Sequence, residues 1–138
     1  MSVAERAFHR WEAHGIDCAL ACGGMGVCGY TWLPAGTGLR RSADVLGYAG
    51  IPVDVHGGLT YGPDDAGWIG FDTGHAWDLW TIEELSKVPA GAMGREKTIA
   101  AAAYWAVSVD SPHVWTVDEV IAETERLAAQ LVVLLGAR

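Results

Sequence analysis

The sequence predicts an α+β fold, a small antiparallel sheet with a central hairpin, covered by an N-terminal and a C-terminal helix. Three observations predict it. Across residues 53–61, Val53, Val55, Leu59 and Tyr61 alternate with Asp54, His56 and Thr60, the two-residue period of a half-buried strand. Turn residues Gly62-Pro63-Asp64-Asp65-Ala66-Gly67 follow, and Trp68-Ile-Gly-Phe71 resumes an extended aromatic run, as in a hairpin. Ser2-Val-Ala-Glu5 and Thr116-Val-Asp-Glu119 are capping boxes at the two ends of the chain, each ahead of apolar residues at helical spacing.

The elements follow in order. Val3, Ala7, Phe8 and Trp11 fall on one helical face, so the first helix is expected to run from Ser2 to Gly15. Ile16 to Ala21 reads as a buried strand entering a glycine turn, and Val27 to Leu33 as its return, with Cys28, Tyr30 and Trp32 on one face and Val27, Thr31 and Leu33 on the other. The glycine-rich Gly23-Gly24-Met25-Gly26 lacks the Gly-Lys-Ser/Thr and helix of a phosphate loop. Residues 34–52 carry glycine and proline with little periodicity and are expected to form a long surface loop. A short helix over Trp77 to Leu85, a second over Arg95 to Val107, a turn over 108–112 and a long amphipathic helix from Val117 complete the chain.

Composition narrows the function. With 138 residues, 51% of them hydrophobic, and no linker-like stretch, the chain reads as one domain, 1–138. Nine basic against seventeen acidic side chains give a net charge of −8, which disfavours general nucleic-acid binding. No apolar run is long enough for a membrane span, and Glu5, Arg6, His9 and Arg10 stand where a signal peptide needs its apolar core, so a cytoplasmic protein is expected. Three bunched cysteines make a disulfide framework a poor explanation.

The chemistry concentrates in the central hairpin. With Tyr61 to Gly67 as its loop, His56 is expected opposite Asp72, and Gly74 lets His75 swing back toward both. His56, Asp72 and His75, with Cys28 from a neighbouring strand, are therefore the candidate ligands of zinc or another divalent metal. Asp54 and Asp78 are candidate bases or ligand contacts beside them, Trp68 and Trp77 candidate stacking surfaces, and Arg40 and Arg41 candidate contacts to an anion or partner. No nucleophile elbow or His-Glu-x-x-His motif is present, so catalytic residues stay unassigned and binding is preferred over turnover. The alternative is a metal-dependent hydrolase acting on a small or nucleotide substrate.

Met25-Gly-Val-Cys-Gly-Tyr30, the Val53 to Tyr61 stretch, Trp68-Ile-Gly-Phe-Asp-Thr-Gly-His75 and Asp78-Leu79 resemble a family of small proteins encoded by bacteriophages and prophages. The chain departs from that family's pattern at Thr73 and at Gly36-Thr-Gly-Leu39, and the position of Cys28 varies in the family. The resemblance thus favours His56, Asp72 and His75 over Cys28. It implies a phage-borne accessory protein in the bacterial host cytosol that inhibits a host or defence protein, or sequesters a nucleotide-like small molecule. The sequence leaves its oligomeric state open.

Overall fold

Cys18, Leu20 and Cys22 face one way along the chain and Ala19 and Ala21 the other. That alternation builds the centre of the sheet. In the computed structural model, which describes residues 2–105 and 112–136, β2 (Ile16–Cys22) pairs antiparallel with β3 (Val27–Trp32), Cys22 standing opposite Val27. The Gly23 to Gly26 turn closes on a bond from the Gly23 N–H to the Gly26 carbonyl. β1 (His9–Ala13) and β4 (Trp68–Phe71) flank this pair in a four-stranded antiparallel sheet of order β1-β2-β3-β4. The α+β class, with helices at both ends of the described chain, is the one expected.

The expected first helix is divided. Its capping box is present, yet α1 spans only Val3–Arg6, and the chain then becomes β1. The reason lies at His14 and Gly15, with φ of 54° and 76°. Two successive residues of positive φ suit the tight turns that join antiparallel strands, so Gly15 turns a hairpin rather than ending a helix. Residues 34–52 are also more ordered than expected. Thr37 caps α2 (Gly38–Leu46), whose Leu39 and Ala43 reach the core, and a 3-10 turn over Gly47–Gly50 follows.

The sheet has two unlike faces. On one, Leu20, Val27, Ile69 and Phe71 meet α5 (Val117–Gly136) through Val120, Leu127, Ala128 and Leu131. The Thr116 and Glu119 capping box forms as its motif predicts, with reciprocal bonds of 2.9 and 3.1 Å. α5 approaches at Gly29, where a Cβ would stand 2.2 Å from the Thr124 Oγ1. On the other face Val3 of α1 packs with Ala19, Ala21, Cys28, Tyr30 and Trp68.

The remaining elements are short. Thr81 caps α3 (Ile82–Leu85), and α4 (Arg95–Trp105) follows. β5 (Asp78–Leu79) pairs in parallel with β6 (His113–Val114), Asp78 beside His113, so the expected helix over 77–85 begins only after Leu79. The turn expected over 108–112 falls outside the described residues but for Pro112. No helix among the described residues is long and apolar enough to cross a membrane.

The central hairpin is reduced to a single bridge. Tyr61 pairs with Gly70, and residues 53–60 are not a strand, so His56 does not lie opposite Asp72. Backbone donors and acceptors must still be satisfied. Here α5 side chains do it: Gln130 accepts from the Asp54 N–H and donates to the Asp54 carbonyl, both at 2.7 Å, and Glu123 accepts the His56 N–H at 2.7 Å.

Candidate metal and ligand site

Asp78 occupies the middle of the site because the β5–β6 pairing holds its backbone there. Its side chain is fully buried. A buried carboxylate needs donors on its lone pairs, and Asp78 has them from three residues. His56 Nε2 lies 3.0 and 3.1 Å from its two oxygens, His75 Nδ1 2.8 Å and the His75 N–H 3.0 Å from Oδ2, and the Trp115 indole N–H donates to Oδ1 at 2.8 Å. Burial pushes the Asp78 carboxyl up. The hydrogen bonds from Trp115, the His75 backbone, His75 and His56 outweigh it and hold the group below its ordinary 3.8.

The two imidazoles are placed by backbone shape. Gly57 has φ of 67°, and a Cβ there would stand 2.2 Å from His75 Cε1, so glycine serves both the turn and the seating of the ring. Trp77, half exposed, stacks on His75 with ring centroids 5.1 Å apart and planes 10° apart. Asp72 Oδ1 is 3.5 Å from His75 Nε2. It thus meets the ring on the nitrogen turned away from Asp78.

His56, His75 and Asp78 each offer a ligand atom within 4.8 Å of the others, so this group could hold a metal ion. Its surroundings resemble the outer partners of metal sites: Trp115 orients the carboxylate, Asp72 sits at the second nitrogen of His75, and Glu123 anchors the His56 backbone. Asp78, expected only as a contact or base, takes the place expected of Asp72.

The other expected contributors lie elsewhere. Cys28 lines a separate cavity of about 150 Å³ with Asp72 and Thr73, and burial pushes its thiol up to about 12, unsuited to a thiolate ligand. Trp68 is buried beneath the Arg10 guanidinium at 5.4 Å, so it presents no stacking face. Arg40 bonds to Asp44 and to the Leu33 and Asp65 carbonyls, and Arg41 to the Gly36 carbonyl, so both guanidiniums are engaged by the chain itself. Asp54 keeps an exposed carboxylate at the rim of the site, 3.5 Å from Arg126.

That rim belongs to a cavity of about 600 Å³ that opens beside His56. Sequence reasoning missed several residues of its wall: His113, brought in by β6, and Glu119, Glu123 and Arg126 on α5. The polar face of α5 carried a signal, since Glu119, Glu123 and Arg126 repeat at spacings of four and three. No protein-family model, curated protein or solved structure matches the chain.

Proposed function

We propose that this is a phage-type accessory protein that works by binding, and that His56, His75 and Asp78 hold a divalent metal, zinc, at the edge of its ligand cavity. The observation that carries the metal is the placing of two ring nitrogens and a buried carboxylate within 4.8 Å of one another. Imidazole and carboxylate are a donor set that zinc accepts, and the partners of Asp78 and His75 lie where those of zinc ligands commonly lie. The motif resemblance supports the phage setting. Of the two kinds of occupant the sequence leaves open, the cavity supports a small ligand, because its wall is concave and built of rings and carboxylates.

A metal-dependent hydrolase is the second reading. It is favoured by the donor count: three protein donors beside an open cavity match sites that keep a position for water, whereas structural zinc sites are closed by four.

Elemental analysis of protein purified without chelator, followed by zinc titration, tests the metal. One zinc per chain, lost in His56→Ala with a lowered melting temperature, is the expected outcome. Protein that is metal-free and whose melting temperature ignores added zinc refutes the site. Turnover of ester or phosphodiester probes by the zinc-loaded protein, abolished in a folded His56→Ala, selects the hydrolase over pure binding.

A further inference from the structure

The cavity beside the His–Asp cluster has an aromatic wall and an acidic rim. His113 and His56 present their rings on this side, and the buried Trp115 backs both, edge-on at 4.6 and 4.7 Å between ring centroids. Asp54, Glu119 and Glu123 contribute three carboxylates to the lining against the single guanidinium of Arg126. Arg126 is already engaged. Its Nε and Nη2 donate to the two oxygens of Glu123 at 2.8 Å each, and Asp54 lies 3.5 Å away. An entering phosphate would meet a guanidinium occupied by its own helix and two further carboxylates of like charge. Glu119 is placed differently. Its Oε1 accepts the Thr116 N–H in the cap of α5, while its Oε2 makes only a long 3.3 Å approach to His113 Nε2, and the side chain is partly exposed.

The geometry points to a ligand that carries a guanidinium or primary ammonium group, with the cation at Glu119 and the adjoining stem or plane against the imidazoles of His113 and His56. A cation there gains a charge-assisted bond to a carboxylate while its stem or plane packs on the two imidazoles. The Arg126–Glu123 fork is the chain's own instance of the same pairing in the same cavity. The inference rests on reading this cavity as the ligand site of the proposed binding function, and it replaces a nucleotide-like occupant with a cationic one.

Titration calorimetry of the zinc-loaded protein with agmatine, with N-acetyl-arginine amide and with adenosine monophosphate tests it. Either guanidine binds and the nucleotide does not. Tighter binding of agmatine assigns a free small molecule, and tighter binding of the arginine amide assigns a peptide side chain. Glu119→Gln preserves the cap, because glutamine also serves in a capping box, so the melting temperature holds while guanidine affinity falls about tenfold. No heat with either guanidine, tighter binding of the nucleotide, or wild-type affinity in Glu119→Gln overturns the proposal. His75→Ala separates it from the metal reading, since His75 is a metal donor but not part of the cavity lining. That variant loses zinc and keeps its guanidine affinity, whereas loss of both refutes the cavity as an independent cation site.

Discussion

The β2–β3 hairpin and the segment from Val53 to Tyr61 carry the same kind of pattern and are built in opposite ways. In the hairpin, alternation is joined to partners on both sides, and every strand residue sits in a ladder that separates two faces of the core. In the second segment, alternation stands alone. Its backbone reaches the sheet only at its end, where the Thr60 and Tyr61 N–H groups donate to the Gly70 carbonyl, and at Asp54 and His56 it is held by Gln130 and Glu123 of α5. Period two therefore records which side chains face inward, and a strand forms only where a neighbouring backbone is also available. The consequence is functional. A segment sutured by side chains can present His56 at an angle that a flat ladder would not allow.

The largest break in this comparison is expected at the point the loop converges on. Asp78→Ala removes the acceptor for His56, His75 and Trp115 and should lower stability by about 3 kcal/mol, as read by urea unfolding. The pH dependence follows from the same group. Its folded pKa is depressed, so its stabilisation is full above the ordinary value of 3.8 and is lost as pH falls through the lower folded value. The wild-type unfolding midpoint should drop in that acid range more steeply than that of Asp78→Asn. A parallel fall in the two proteins would remove Asp78 as the source.

Gly29→Ala tests the ladder side. Its Cβ would meet Thr124 Oγ1 at 2.2 Å and the Phe71 ring at 2.6 Å, so α5 must shift, at a cost of about 2 kcal/mol with zinc stoichiometry unchanged. The pair Gly57→Ala and Gly58→Ala sharpens the loop side. Both positions have positive φ, 67° and 79°, and both should lose about 1 kcal/mol. Only at Gly57 does the new methyl strike His75, so zinc affinity should fall in Gly57→Ala and hold in Gly58→Ala; equal loss in both would locate the effect in the backbone alone.

Gln130→Ala loosens the same loop without touching its glycines. It frees the Asp54 N–H and carbonyl to water, with about 1 kcal/mol of stability lost and zinc affinity reduced about tenfold through the looser His56. Hydrogen exchange should quicken at Asp54 and leave Cys18 to Cys22 protected.

Much of this was legible in the residues. Alternation in Ile16 to Cys22 and Val27 to Leu33 located the central strands and assigned the faces of Cys28, Tyr30 and Trp32 correctly. Thr116 and Glu119 announced α5, whereas the helix expected over 77–85 starts only past the Thr81 cap, since Asp78 and Leu79 are taken into β5. His56 and His75 stood out as the imidazoles of the central stretch. The division of the first helix was legible too, in the His14-Gly15 pair, but Phe8 and Trp11 also fit helical spacing, and the competing period prevailed.

Residue pattern suffices for the α+β class, the inward-facing set of β2, β3 and α5, and the concentration of imidazoles and carboxylates between residues 54 and 78. Tertiary structure alone decided that Asp78 rather than Asp72 binds both rings, and that His113, Trp115, Glu119 and Glu123 stand beside them. The physical reason is range. Spacing along the chain encodes which face a side chain takes, within one element. The contact between Asp78 and Trp115 depends instead on a parallel pairing across more than thirty residues, and the pose of His56 depends on a helix almost seventy residues away.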